Sequence, residues 1–97
     1  MLTETFSCTA SGVFVIKNDK GLHTRPCTEI VKCATKFKSD IYVKYRKEQV
    51  NAKSMLGLLM LAAPHRSRIR ISAMGVDAEE AVAALLELGR DSFNIQY

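Results

Sequence analysis

Hydrophobic positions in the first half of the chain follow a strand period, then a helix period. Residues 13–16 form a β-branched and aromatic run that predicts the first strand. Apolar residues recur at helical spacing over residues 26–36, which predicts an amphipathic helix. Alternation over residues 41–45 predicts a half-buried second strand, and residues 49–51 predict a short third strand. Residues 1–10 show neither period and are interpreted as a loose lead-in.

The second half of the chain also alternates between segments with a helical period and a segment with a strand period. Residues 54–61 are apolar on almost every side and predict a short packed helix that ends near Pro64. Residues 68–73 alternate arginine or serine with isoleucine or alanine, which predicts a half-buried fourth strand. A further helical pattern follows this strand.

The last helix has boundary signals at both ends. Asp77 and Glu80 have the spacing of a capping box, with Asp in the position that Ser or Thr usually takes. Gly89 is a residue type that commonly ends a helix. We therefore predict the last helix over residues 78–88.

The order of predicted elements is β-α-β-β-α-β-α, which indicates an α+β fold. Four strands with helices between them predict a sandwich in which one sheet carries its helices on one face. The short connection between the second and third strands favours an antiparallel pair there. The pattern contains no internal repeat and no linker, so residues 1–97 are predicted to form a single domain.

The composition is that of an ordinary globular protein, with 47% hydrophobic and 25% charged residues. No apolar run is long enough to span a bilayer, and residues 1–10 lack the features of a secretory signal, so we expect a cytoplasmic protein. Cys8, Cys27 and Cys33 are odd in number and show no CxxC spacing, which argues against a disulfide framework or a zinc site. Cys27 and Cys33 are expected to pack as small hydrophobic residues.

Residues 21–26 carry the clearest chemistry and read Gly-Leu-His-Thr-Arg-Pro. Gly21 allows a backbone turn with positive φ, and Pro26 suits the first position of a helix. His23 would then lie at the mouth of a helix, where unpaired backbone N–H groups attract phosphate. Arg25 adds a planar cation that fits phosphate oxygens. The pattern indicates a histidine that carries a phosphoryl group; the simpler alternative is a surface histidine that caps the helix.

A second motif, at residues 50–57, reads Val-Asn-Ala-Lys-Ser-Met-Leu-Gly and leads into the short helix. Together with residues 21–26 and the order of elements, it resembles the HPr family, the histidine-containing phosphocarriers of the bacterial sugar phosphotransferase system. The resemblance covers residues 14–93, nearly the whole chain. It implies an open-faced β-sandwich in which a four-stranded antiparallel sheet has three helices on one face.

The resemblance also implies a phosphoryl relay without a metal or another cofactor. His23 would accept a phosphoryl group on Nδ1 from enzyme I, itself charged by phosphoenolpyruvate, and Arg25 would pair with the phosphoryl oxygens. The group would then pass to a histidine on the IIA domain of a sugar permease. Such a protein is an intermediate carrier rather than a turnover enzyme.

A regulatory site and a docking face are implied by the same resemblance. Ser54 matches the position that a regulatory HPr kinase/phosphorylase modifies, although a serine that opens a helix is also a favoured N-cap worth about 1 kcal/mol. The residues expected to dock partners are Thr24, Thr28, Met55, Leu56 and Leu59. Any one of the apolar residues would also fit a core position, but a helix that is apolar on every side cannot bury all of them against one sheet.

Two loops depart from the pattern of the family and leave the partners open. Residues 46–48 and 64–67 are basic or bulky where relatives often have glycine or asparagine, and the net charge of +4 is unusual for the family. One alternative is a regulatory or nitrogen-branch paralogue that controls partners by its phosphorylation state. Another is a small nucleic-acid-binding domain that uses Arg66, Arg68 and Arg70. This alternative does not explain the motif at residues 21–26. We therefore expect protein partners, no nucleic acid, no membrane insertion and a monomer.

Overall fold

Four strands form one antiparallel sheet in the computed structural model, which describes residues 8–94. The elements in chain order are β1 (Cys8–Val15), α1 (Thr24–Ala34), β2 (Asp40–Tyr45), β3 (Glu48–Asn51), α2 (Met55–Leu61), β4 (Arg68–Gly75), α3 (Ala78–Arg90) and a 3₁₀ turn (Ser92–Asn94). The predicted order and the open-faced α+β sandwich are confirmed. Among the helices of this described part, none has the length and apolar character needed to cross a bilayer.

The strands lie in the order β1-β4-β2-β3, and every neighbouring pair is antiparallel. Alternate side chains point to opposite faces, as the sequence pattern predicts. The helix-covered face is fully apolar at its centre; its buried strand residues include Phe14, Ile41, Val43, Ile69 and Ile71. None of the helices in residues 8–94 covers the other face. It exposes a mixture of apolar and basic side chains, which include Val13, Val15, Tyr42, Lys44, Arg68, Arg70 and Met74.

The first strand is longer than its sequence pattern predicts. Cys8 to Ala10 were assigned to the lead-in, but they pair with Gly75 to Ala73 of β4. These positions show no clear hydrophobic alternation, so the strand depends on backbone hydrogen bonds to β4 that the sequence of β1 alone cannot reveal. The rest of the predicted lead-in, residues 1–7, lies outside the described residues.

The helix α3 begins at Ala78 with Asp77 as its N-cap residue, as predicted, but neither Asp77 nor Gly89 acts in the way that the boundary signals suggest. Gly89 lies inside the helix and is buried, and a Cβ atom there would come within 2.5 Å of the Phe14 ring. Its role is therefore close packing of helix on sheet rather than helix termination. Asp77 occupies the N-cap position but makes no side-chain capping bond. Its carboxylate instead accepts hydrogen bonds from the Lys38 N–H (2.8 Å), the Ser39 N–H (2.9 Å) and the Ser39 hydroxyl (2.5 Å).

Asp77 gives the fold a pH-dependent contribution to stability. The Ser39 hydroxyl, followed by the Lys38 N–H, holds the pKa of the Asp77 carboxyl below its usual value. Since the folded-state pKa is lowered, this contribution is complete above the unfolded value of about 4 and is lost as the pH falls through the folded pKa. We expect Asp77→Asn to lower the thermal unfolding midpoint near pH 7 and to lower it less as the pH falls below about 4.

The control for this prediction is Glu79→Gln, which removes an exposed carboxylate from the first turn of the same helix. Its unfolding midpoint should follow that of the unaltered protein across the pH range. A loss of stability in Asp77→Asn that stays constant between these pH values would contradict the linkage.

The cysteines pack as the sequence predicts. Cys27 is fully buried, its Sγ donates to the Leu22 carbonyl oxygen at 3.7 Å, and burial raises the pKa of its thiol to about 11. Cys33 is partly buried, and burial raises its pKa as well. A raised pKa keeps a thiol protonated and unreactive at neutral pH. Both residues therefore serve packing rather than catalysis.

Candidate phosphoacceptor site

The loop between β1 and α1 is held by backbone contacts that only glycine permits. Gly21 has φ +69°, and a Cβ atom there would lie 2.5 Å from the Ala63 carbonyl oxygen. The Gly21 N–H donates to the Asn18 carbonyl oxygen at 2.9 Å, and the Leu22 N–H donates to the Ala63 carbonyl oxygen at 2.8 Å. The loop before His23 is thus fixed against the segment that follows α2.

His23 is the N-cap residue of α1, with an extended backbone of φ −95° and ψ −166°. The first helical bond runs from the Cys27 N–H to the His23 carbonyl oxygen at 3.1 Å. Pro26 is the third helical residue rather than the first as predicted; the missing N–H still costs no helical bond, since the first four N–H groups have no helical partner. The first turn contains no acidic residue that would offset the positive end of the helix.

The electrostatic environment of His23 favours its neutral form. Desolvation by partial burial lowers the pKa of the imidazole below its ordinary value of 6.5, and the positive charges of Lys20 and Arg25 lower it further. A neutral imidazole is nucleophilic, so most of the His23 side chains are ready to react at neutral pH. Arg25 is exposed in the first turn of α1, two residues from His23. The geometry therefore combines a nucleophile with groups that bind an anion.

The short helix α2 presents an apolar surface beside α1. Leu58 and Leu61 are buried, whereas Leu56 is 68% exposed, Leu59 38% and Met60 74%. We call the exposed residues Leu56, Leu59 and Met60 the apolar patch. Met60 was missed from the sequence, although its i, i+4 spacing from Leu56 places the two on one side of the helix.

The two helices meet through residues predicted to dock partners. The Thr28 hydroxyl donates to the Thr24 carbonyl oxygen at 2.9 Å, and its oxygen lies 4.0 Å from the Met55 sulfur of α2. Thr24 and Thr28 are exposed, and Met55 is partly buried. The structure thus places Thr28 of α1 next to Met55 of α2. The exposed side of α2 forms the apolar patch.

Ser54 is the N-cap of α2, and its hydroxyl oxygen accepts a hydrogen bond from the Gly57 N–H at 3.1 Å. Asn51 holds the preceding turn, because its side-chain oxygen accepts from the Lys53 N–H at 2.8 Å. The capping role of Ser54 is therefore confirmed, and its modification stays a prediction. Within residues 8–94, no group of three His, Cys, Asp or Glu side chains is arranged to hold a metal ion.

Known proteins resemble this chain over nearly its full length. The family profile described as "PTS HPr component phosphorylation site" matches residues 10–91, which include both sequence motifs. The structure of HPr-C-His from Thermoanaerobacter tengcongensis is 38% identical, with 91% of this chain and 99% of that chain covered and a TM-score of 0.85. A histidine-containing phosphocarrier protein from Mycoplasma is 33% identical, with 91% and 100% covered and a TM-score of 0.82.

A regulatory protein is also similar. Crh, the catabolite repression containing protein of Bacillus subtilis, is described as a swapped dimer. It is 27% identical to this chain, with 95% of this chain and 97% of that chain covered and a TM-score of 0.69. Nearly the whole chain is therefore similar both to phosphocarriers and to a protein whose name links it to catabolite repression.

Proposed function

The chain belongs to the HPr family of phosphocarriers, and from this membership we propose that His23 accepts a phosphoryl group from phosphorylated enzyme I and passes it to a IIA domain. The observation that carries the proposal is the position of His23 as the N-cap of α1, with Arg25 in the first turn. The lowered pKa of the imidazole supports it, since the acceptor must be neutral to attack.

The proposed chemistry is an exchange of one phosphorus–nitrogen bond for another. Nδ1 of His23 attacks the phosphorus of the donor phosphohistidine; its bond to phosphorus forms while the bond to the donor nitrogen breaks. The donor imidazole leaves with the electron pair of the broken bond. Charge spreads over the three phosphoryl oxygens during transfer, and Arg25 and the N-terminus of α1 stabilise it there. Transfer to the IIA histidine repeats the step with His23 as the donor.

Docking in this proposal uses the surface next to His23. Thr24 and Thr28 form its α1 side, and Met55 and the apolar patch form its α2 side. Exposed apolar side chains mark interaction sites, and methionine adapts to more than one partner. Enzyme I and IIA domains would therefore bind the same surface in turn.

We expect Leu56→Ala combined with Met60→Ala to raise the KM for transfer from enzyme I by about ten-fold or more, because the two truncations remove several apolar groups that docking would bury, each worth about 0.8 kcal/mol. The kcat should change little, since neither side chain is expected to contact the reacting atoms. Initial rates at varied concentrations of the phosphocarrier would measure both constants. Met74→Ala, which truncates a 54% exposed methionine on the uncovered sheet face, is the matched control. An unchanged KM in the double variant would contradict the docking surface.

The proposal is tested by incubating the protein with phosphoenolpyruvate and purified enzyme I. Acid-labile phosphate on the protein, followed by its transfer to an added IIA domain, is the expected result. A protein that stays unlabelled would overturn phosphoacceptance from enzyme I. Labelling that persists in acid would indicate a hydroxyl acceptor instead.

Regulation is the second candidate function, and the similarity to Crh supports it. Ser54 would be modified by an HPr kinase/phosphorylase; the new dianion would lie at the N-terminus of α2 beside the apolar patch, where it would repel an acidic partner. Labelling by enzyme I without onward transfer to any IIA domain would favour regulation over relay. In both cases we propose a cytoplasmic monomer without nucleic-acid partners.

A further inference from the structure

A second surface of the molecule concentrates positive charge around a cavity. A cavity of about 520 Å³ opens between the β2–β3 turn and the loop before β4, and its walls include Tyr45, Arg46, Arg66, Ser67 and Arg68. An adjoining cavity of about 250 Å³ shares Arg46 and Arg68. We call the two together the basic cleft. Its five cations are Lys44, Arg46, Arg66, Arg68 and Arg70.

These cations lie close together without a compensating acid. Lys44 and Arg70 are directly opposite each other in β2 and β4, a like-charge pair that disfavours the sheet. In the described part of the chain, the cations of the basic cleft form no salt bridge. Among residues 8–94, no carboxylate lines either cavity. The folded chain therefore gathers charge here that residues 8–94 leave unneutralised.

Two of the arginines also occupy unfavourable backbone conformations. Arg46 has φ +57° and Arg66 has φ +74°, a region in which glycine or asparagine is the usual residue. Both strained positions line the same cavity although they are twenty residues apart in sequence. Glycine would satisfy both turns with less strain, so the turns themselves do not explain the arginines. Each arginine brings a guanidinium group to the edge of the cavity, and that of Arg46 lies over the Tyr45 ring at 5.3 Å.

We propose that the basic cleft binds a small anion that carries two or more phosphate groups. Guanidinium groups bind phosphate through paired hydrogen bonds, and Arg46, Arg66 and Arg68 supply three of them around one cavity. A volume of about 520 Å³ is in the range of small-molecule sites. A single-stranded nucleic acid is disfavoured, because the Tyr45 ring that would stack on a base is already covered by the Arg46 guanidinium at 5.3 Å.

The test uses inorganic tripolyphosphate as the probe and calorimetry with the whole protein. Arg46→Gly combined with Arg66→Gly removes two guanidinium groups and relieves the backbone strain, so this variant should fold well. We expect it to bind tripolyphosphate at least about ten-fold more weakly for each arginine removed. Lys36→Gln combined with Lys38→Gln removes the same charge at the far end of β2 and should bind as the unaltered protein does.

Amide chemical shifts recorded during the titration locate the anion. The proposal expects the largest shifts at Tyr45, Arg46 and residues 66–68, and it is overturned if the shifts are confined to residues 23–26. Equal affinity in the arginine double variant would also overturn it. So would an equal loss in the lysine control, binding of sulfate as tight as that of tripolyphosphate at matched ionic strength, or tighter binding of a single-stranded oligonucleotide.

Discussion

Replacement of His23 by alanine is expected to abolish acid-labile phosphorylation by enzyme I, a loss of at least about a thousand-fold in the rate of acceptance. The imidazole nitrogen itself forms the bond to phosphorus in the proposed step, so neither Arg25 nor the helix N-terminus can compensate. The measurement is incorporation of phosphate from phosphoenolpyruvate, quantified before and after acid treatment. His65 remains in this variant as the other histidine of the chain. Acid-labile label that persists would therefore locate the phosphoryl group there and contradict the proposal.

The same prediction has a pH signature in the unaltered protein. Burial, Lys20 and Arg25 hold the pKa of His23 below 6.5, so the fraction of neutral imidazole, and with it the rate of acceptance, should rise as the pH passes through that lowered pKa and level off above it. Arg25→Gln removes one of the two charges and should raise the pKa toward its ordinary value. Titration of the His23 ring protons by NMR measures this pKa directly. Intact folding of His23→Ala, checked by its unfolding midpoint, separates loss of the nucleophile from loss of the fold.

The periodicity of the chain predicts the elements that depend on a local pattern. Ile69, Ile71 and Ala73 alternate with basic and polar residues, and they form the buried side of β4 as predicted. The apolar run after Ser54 forms α2, with Ser54 as its N-cap. In these segments the side chains that face the core are also the side chains that set the local period, so the sequence and the tertiary structure agree.

The sequence-based interpretation is wrong where the role of a residue depends on a contact with a distant part of the chain. Gly89 is a residue type that commonly ends helices, but here it lies within α3, where a Cβ atom would come within 2.5 Å of the Phe14 ring. Asp77 would be an ordinary cap if the Lys38 and Ser39 N–H groups did not reach its carboxylate first. In each case a tertiary contact replaces the local role that the residue type suggests, and a single sequence contains no signal for that contact.

The proposed acceptor site and the proposed anion site also differ in how far the sequence alone predicts them. The acceptor motif is local: Gly21, His23 and Arg25 are neighbours in sequence, so their chemistry could be predicted before the fold was known. The basic cleft is assembled from the turn at Arg46 and the loop at Arg66, which only the sheet brings together. The sequence shows both basic clusters, but only the structure shows that Arg46 and Arg66 border the same cavity, which is the basis of the proposed anion site.

Gly21→Ala is expected to lower the free energy of unfolding by about 3 kcal/mol and to reduce phosphoryl acceptance by the folded protein. Alanine is strained at φ +69°, and its Cβ atom would lie 2.5 Å from the Ala63 carbonyl oxygen and 2.9 Å from the Pro64 Cα atom. These neighbours are backbone atoms and cannot rotate away as a side chain would. The Leu22 N–H bond to the Ala63 carbonyl oxygen would have to lengthen, and His23 would move with the loop.

Gly12→Ala is the matched control, because it adds the same methyl group to a strand whose nearest neighbour is the end of the flexible Leu86 side chain. Urea unfolding of both variants measures stability, and acceptance from enzyme I at a temperature where both are folded measures the site. Gly12→Ala should lose less stability and keep its acceptance rate, since Leu86 can change rotamer and lies far along the chain from His23. Equal behaviour of the two variants would mean that the contact with Ala63 does not fix the loop, and that His23 is positioned by α1 alone.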